Sequence, residues 1–498
     1  MTFEKRMKQR IQQIDQNLDS MVKNPYQKKS HFPLWAKISI PVCSVALSVA
    51  IALAVAIPFM QSNRFSQLNQ LTKPKLNKIV EASTTSVSSL TYNSYNSFAK
   101  KYVSLIMNET NKDTEKSLGV SIPDAYVGLA IVGLISSEEC LEDVLTYLEL
   151  GSADELKVAT HEVLEVLGTL SKDKAGRLSG GCNLNSIWLN PNVVELLDKK
   201  DEDLYGDLEE IFDTSVFLEQ FSLNKANTYL KRNTLKGMPI PEIKTDDMHQ
   251  SAIDVVSTYT CLDYFTEDAS KTYKEEYQSK NHKMDYTFNG VSTRVDYIDR
   301  KEENGYVYEG DSFYGAAINM KYLSINFFLP NNFDDYPSSI AGDVLNHNYG
   351  YKKTTYIDSS TGEECQTTRH DIYIKAPYFT LNNSVSVKKE SLVNLFPNLT
   401  TNGFGARMVR NKSGSSVFLD CLKQFSVMSF NYNGFYSSSL TVASGSKGAH
   451  RDLPGQFELL LDHPFAFEVD KTIRVNEDNE YHKIPMIFGE VINPNYTE

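Results

Sequence analysis

The sequence predicts an α+β body preceded by one transmembrane helix, and three observations carry that expectation. The run from Ile38 to Met60 is uncharged throughout, helical periodicity dominates up to about residue 232, and strand-like alternation dominates after about residue 250. A block of helices followed by many strands builds an α+β fold rather than alternating βαβ units. The 498 residues are 41% hydrophobic and 23% charged, an ordinary globular composition, and no repeat period or low-complexity tract interrupts them.

As a helix rising about 1.5 Å per residue, residues 38–60 span roughly 34 Å, which is enough to cross a bilayer. A cleaved signal peptide has a shorter apolar core and a small-residue cleavage site, so this segment reads as an uncleaved anchor. Residues 1–37 hold +5 of a net charge of −13, leaving −18 on the remainder. The positive-inside rule then sets the amino terminus in the cytoplasm and residues 61–498 outside, in a single-pass protein of the cell membrane. In the tail, Met7, Ile11, Ile14, Leu18 and Met21 form the apolar stripe of a short helix. Flanked by Lys and Arg, it suits an anionic lipid surface or a partner helix. The expected organisation is a basic tail over 1–37, the membrane helix over 38–60, a polar stalk over 61–80 and a folded domain over 81–498. So acidic a body is not a nucleic-acid binder, because phosphate contact needs clustered Lys and Arg.

Within the body, helices are expected over 92–107, 124–134, 141–150 and 155–170. Cys43 lies in the apolar run, and Cys140, Cys182, Cys261, Cys365 and Cys421 have neither paired nor metal-ligand spacing, so they read as small hydrophobes. There is no G-x-S-x-G elbow, no phosphate-binding loop and no H-E-x-x-H helix. His161-Glu162 opens like the last of these, but Glu165-Val166 stand where the second histidine is needed. Gly403-Phe404-Gly405 lacks the third glycine of a dinucleotide loop and reads as a turn. No catalytic group, metal or cofactor is implied, and the protein is not expected to be an enzyme.

The carboxyl terminus is the most informative stretch. His463-Pro464-Phe465-Ala466-Phe467-Glu468-Val469 is followed by Ile484-Pro485-Met486-Ile487-Phe488-Gly489-Glu490-Val491-Ile492-Asn493-Pro494, two apolar strands forming a hairpin, with Gly489 allowing close backbone approach. This resembles the closing pattern of the serpin family. Further similarities fall in the same order along the chain: Ser121-Ile122-Pro123 before a buried helix, Asn185 opening a sheet strand to Leu189, and Asn227, Tyr229, Leu230 and Thr234. Later come a strand from Tyr322 ending Leu329-Pro330, and another from Ile372 through Pro377 to Phe379. Together they cover about residues 85–498. The resemblance implies three β-sheets, about nine helices and an exposed reactive-centre loop, in a monomeric ectodomain. It also implies a suicide inhibitor of an extracellular serine or cysteine protease, in which the cleaved loop enters the largest sheet as a new strand. The alternative is a non-inhibitory binding or structural module of the same fold.

By the same resemblance the loop follows an alternating strand over 424–430 and precedes His463-Pro464. Gly434 aligns with the hinge glycine, followed by Phe435, Tyr436, Ser437, Ser438 and Ser439. Counting from the hinge reaches Gly448, and counting back from His463 reaches Leu453. Candidate scissile residues are therefore Lys447, Gly448, Ala449, Arg451 and Asp452. Lys447 and Arg451 suit a trypsin-like pocket and Gly448-Ala449 an elastase-like one, while Asp452 disfavours cleavage after Arg451. Several positions depart from the family pattern. Phe435 and Tyr436 stand where small residues or threonine are usual, Asn431 and Tyr432 replace acidic residues, Gln424 replaces a histidine, Ser257-Thr258 replace Asn-Ala, and Tyr264 stands in for a tryptophan. Strand alternation should point Phe435 beneath the sheet with Ser437, Ser439 and Thr441, where a large ring is expected to slow insertion.

Overall fold

The computed structural model describes residues 69–494 except 75–85, 111–115, 169, 173–177, 199–200, 237, 241–242, 244–250, 265–282, 321–322, 333–334, 358–360, 432–433, 438–455 and 478–479. The expected anchor, residues 38–60, and the basic tail lie outside the described residues. Among those described, no helix is long and apolar enough to cross a membrane. Within the span expected as a stalk, residues 69–74 run along the strand Thr214–Phe217. Leu71 donates its amide to the Val216 carbonyl at 2.7 Å, and the Thr72 hydroxyl bonds Thr214 and Val216.

Eight helices are present among the described residues: α1 Ser89–Thr110, α2 Pro123–Ile135, α3 Glu138–Leu148, α4 Ala153–Leu167, α5 Glu202–Glu210, α6 Leu223–Asn233, α7 Ser338–Leu345 and α8 Lys389–Leu392. In α1 the buried positions Tyr95, Phe98, Tyr102 and Ile106 recur every three or four residues, the stripe of a helix with one face inward. By contrast, α2 is apolar on nearly every side and nearly wholly buried, with Pro123 and Asp124 in its first turn. Ser152 caps α4 by accepting the Glu155 amide at 3.2 Å. That helix stops at Leu167, short of the expected residue 170. The Gly168 amide closes its last turn on Leu164, and Leu170 begins a strand.

Two large sheets form the body, one of seven strands and one of eleven, beside two small two-stranded sheets. The expectation of three sheets differs because Val291–Glu309 is a single strand of 19 residues. Its end pairs with Phe313–Asn319, its start with Lys283–Phe288 and the stretch between, Tyr297 to Tyr306, with Arg369–Pro377, so it joins what would otherwise be separate sheets. Likewise the strand expected to reach Phe379 divides at Tyr378. Arg369–Pro377 lies in the larger sheet and Phe379–Lys388 at the edge of the smaller. The carboxyl-terminal hairpin, Phe465–Val475 and Tyr481–Val491, sits between Ser324–Pro330 and Leu118–Ser121 in the larger sheet. The sheets pack face to face through phenylalanines, with Phe327 against Phe430 at 5.5 Å and Phe379 against Phe467 at 5.1 Å between ring centres.

The hairpin also buries charge. Glu468, Asp470, Lys471 and Glu490 are all under a tenth exposed. Burial opposes the charge of Asp470, but Lys483 at 3.0 Å and the Asn326 amide at 2.7 Å hold its carboxyl low, while burial raises that of Glu468. Lys471 donates to the Val166 carbonyl near the end of α4 at 2.7 Å, and burial pushes its amine down to about 7. Glu490 has a carboxylate oxygen without a hydrogen-bond partner, and burial pushes it from 4.5 up to about 8. The folded state thus holds a proton on Glu490 that the unfolded chain releases. The stability this proton confers is full below the unfolded value and is lost as pH rises through about 8. Replacing Glu490→Gln should therefore flatten the fall of melting temperature over that window, with the variant ahead by about 1–3 kcal/mol at the alkaline end. Parallel melting curves for the two proteins across the same range would show that Glu490 is not protonated in the fold.

Candidate functional site

The seven-stranded sheet runs in the order Phe379–Lys388, Cys421–Asn431, Gly434–Ser437, Ile253–Tyr264, Leu178–Leu189 and Leu170–Lys172, with Thr214–Phe217 also on Leu178–Leu189. Gly434–Ser437 is antiparallel to both neighbours, so Cys421–Asn431 and Ile253–Tyr264 run parallel to each other on either side of it. Gly434 sits opposite Asn431 and Tyr264, and Ser437 opposite Met428 and Cys261. Beyond Ser437 the two long strands continue as walls, to Cys421 on one side and Ile253 on the other. No described strand lies between them.

Gly434 makes the turn into this slot. Its φ is +138°, and an added Cβ would collide with the Asp263 carbonyl oxygen, so glycine is required both for the backbone conformation and for the close approach. The next residues alternate as a strand should: Phe435 and Ser437 are buried and Tyr436 is half-buried. The Phe435 ring, expected to slow insertion, is 1% exposed and stands edge-on to Phe467 at 6.3 Å. It enters the phenylalanine cluster between the sheets, which supplies the space a large ring needs. Ser438, Ser439, Lys447, Gly448, Ala449, Arg451 and Asp452 lie outside the described residues. The chain is next described at Gln456–Leu460, which pairs in parallel with Arg369–Pro377 in the larger sheet.

Below Ser437 the walls enclose a cavity of about 720 Å³, floored by α2 and reaching Phe98, Tyr102 and Leu105 of α1. Gln424, at the position of the missing histidine, ties one wall to this floor. Its side-chain amide donates to the Ser121 carbonyl at 2.6 Å, and its carbonyl accepts the Ser121 amide at 3.1 Å. Asp124 accepts from the Ser121 hydroxyl and lies 3.4 Å from the Gln424 amide; burial pushes its carboxyl up to about 6. On the opposite wall the Ser257 hydroxyl donates to Asn185 at 2.8 Å and the Thr258 hydroxyl to the Leu184 carbonyl at 3.1 Å. Both residues that depart from the family pattern here bond the neighbouring strand. Asp254, lower on that wall, is pushed up by burial to about 7. Sequence reasoning passed over both aspartates. The available signal was a carboxylate in the first turn of an otherwise apolar helix.

Neither a family model nor a curated protein matches this sequence. Solved structures do match. A thermophilic serpin, tengpin, in its native state is 15% identical with a TM-score of 0.54, over 86% of this chain and 98% of that one. Serpin48 of the insect Tenebrio molitor is 15% identical with a TM-score of 0.54, over 81% and 98%. Thyroxine-binding globulin in complex with thyroxine is 11% identical with a TM-score of 0.54, over 81% and 100%. The chain has the serpin fold.

If Gly434 is what seats the short strand, Gly434→Ala should cost about 1–3 kcal/mol through backbone strain and steric conflict. Amide hydrogen exchange at residues 435–437 should then speed up, with little change in the central hairpin. Unchanged protection at those amides would show that the turn tolerates a side chain.

Proposed function

We propose that this protein is a serpin-type inhibitor of a serine or cysteine protease, held at the cell surface by residues 38–60. The observation that carries the reading is the strand Gly434–Ser437, seated antiparallel between two longer strands whose described lengths run on to Cys421 and Ile253. Extending the register one residue at a time would set residues 438–445, about eight residues, opposite 427–420 on one wall and 260–253 on the other. Each added residue would offer backbone hydrogen bonds worth about 0.5–1.5 kcal/mol net apiece. The candidate scissile residues begin just past that length, at Lys447.

In the proposed reaction the protease's serine or cysteine attacks the carbonyl carbon of the scissile bond. The carbon–nitrogen bond breaks and the new amino terminus departs with the downstream chain. The upstream half of the loop stays attached to the protease as an ester or thioester. Insertion of that half into the slot draws the protease away from the loop's original position before water completes hydrolysis. The departures at Gln424 and Ser257-Thr258, each bonded to a neighbouring element, favour a second reading, a binding module of the same fold; thyroxine-binding globulin, which binds thyroxine, shares it.

Intact cells bearing the full chain with an amino-terminal tag, and the purified full chain, are each incubated with trypsin-like and elastase-like proteases. The inhibitor reading expects a denaturant-resistant band joining tag and protease, from cells and from pure protein alike, with the cut between residues 447 and 453. Cleavage without such a band in either preparation would overturn it in favour of the second reading. A band from pure protein alone, or loss of the tag on intact cells, would overturn the surface display.

A further inference from the structure

We propose that residues 69–74 are a regulatory strap, an added edge strand whose docking on the seven-stranded sheet is transmitted to Ser257 and sets how readily that wall moves. The strap runs antiparallel to Thr214–Phe217. It satisfies outward backbone groups of that edge one by one: Leu71 donates to the Val216 carbonyl at 2.7 Å, and Leu218 donates to the Asn69 carbonyl at 2.9 Å. The Thr72 hydroxyl serves two more, accepting the Val216 amide at 2.8 Å and donating to the Thr214 carbonyl at 2.6 Å. A bare edge would offer these groups to solvent or to another chain. The strap also holds elements outside the sheet. The Lys73 amide donates to the Glu209 carboxylate of α5 at 3.1 Å, and Leu71 lines a hollow of about 160 Å³ with Leu196, Tyr205 and Met408.

Behind the strap a hydrogen-bond relay crosses the sheet. The Gln70 side-chain amide reaches the Ser215 hydroxyl at 3.4 Å, the Ser215 and Tyr229 hydroxyls bond at 3.0 Å, and Tyr229, from α6, donates to the Asn185 backbone carbonyl at 3.2 Å. The Asn185 side chain completes the path. Its carbonyl accepts the Ser257 hydroxyl at 2.8 Å, and its amide donates to the Phe212 carbonyl, also at 2.8 Å, two residues before the strapped strand. Ser215, Tyr229 and Asn185 are all under a tenth exposed, so water competes little for these bonds and each polarises the next. Leu178–Leu189 pairs without a break with Ile253–Tyr264 and carries Thr214–Phe217 as well, which ladders the three strands into one block. Undocking the strap frees the outer edge of that block, removes the first bond of the relay and loosens the wall. The regulatory effect rests on the inhibitor reading: a docked strap slows lengthening of the strand begun at Gly434. The relay itself does not depend on that reading. With an anchor at residues 38–60, only residues 61–68 separate it from the strap, so a pull or a cut on the membrane side reaches the strap before the sheet.

Amide hydrogen exchange of the full chain tests the relay with two variants. Thr72→Val keeps the shape of the side chain and removes its hydroxyl, and Tyr229→Phe cuts the relay behind an intact strap. In Thr72→Val the Leu71, Val216 and Leu218 amides should exchange about tenfold or more faster, and the wall amides from Val255 to Thr258 that pair with Leu178–Leu189 about threefold or more faster. Tyr229→Phe should speed the same wall amides and leave Leu71 and Leu218 unchanged. Thr72→Ser should match the wild type, and the hairpin strand Phe465–Val475 should be indifferent to all three, which separates the relay from general loosening. Faster exchange confined to the strap, or spread equally over the hairpin, would overturn the coupling. After a single cut in the loop, the rise in melting temperature should develop about threefold or more sooner in Thr72→Val than in the wild type, and an equal rate would overturn the regulatory role. If neither cut protein gains stability, the inhibitor reading falls and the regulatory role with it, whereas exchange at the wall still decides the relay.

Discussion

Two strands that run in the same direction, one strand's width apart, cannot satisfy each other's backbone hydrogen bonds. That constraint organises this fold. Ile253–Tyr264 and Cys421–Asn431 share Gly434–Ser437 at one end. Facing amides and carbonyls along such walls need a partner, water or another chain. Beneath them, α2 lies close under the sheet, and Gln424 and Ser121 pin one wall to the floor while Ser257 and Thr258 bond the other wall to Leu178–Leu189. Specific side chains thus tie each wall to its neighbours, and Gly434 begins the strand between them.

Phe435 shows how the environment decides the effect of a residue. In a sheet packed on small side chains a phenylalanine would have to force its way in. Here Phe467, on the central strand of the other sheet, meets its edge, and Phe379 stacks on Phe430 beside it. Large aromatic area buried between two sheets favours the seated strand Gly434–Ser437 by roughly 2 kcal/mol. The packing question then passes from Phe435 to the residues that follow Ser437.

Much of this fold was legible in the sequence because its signals are local. The apolar stripes of α1 and α3, the all-round apolar α2 and the closing hairpin each declare their period within a dozen residues. Gly434 was singled out only through the family resemblance, and its positive φ and close approach to Asp263 give it a physical reason that the sequence alone did not show. What could not be read depends on distant partners. The end of α4 is set by where its chain must enter a strand, and the merging of sheets by the length of Val291–Glu309. Lys471 and Glu490 lie in runs that look merely amphipathic, and their burial follows from the strands on either side. Asp124 and Asp254 acquire meaning only when two elements far apart in the chain are seen to line one cavity.

The central claim is that the chain's own loop, once cut, can lengthen the strand begun at Gly434 between these two walls. Its most direct test is thermal unfolding of the protein before and after a single cut in the loop, with both fragments retained. A cut frees the upstream segment to lengthen the strand begun at Gly434, adding backbone hydrogen bonds along both walls. The account predicts a rise in melting temperature of about 5 °C or more, since each 1 kcal/mol shifts a domain of about 400 residues by roughly 1 °C. An unchanged or lowered melting temperature in the cut protein would contradict it.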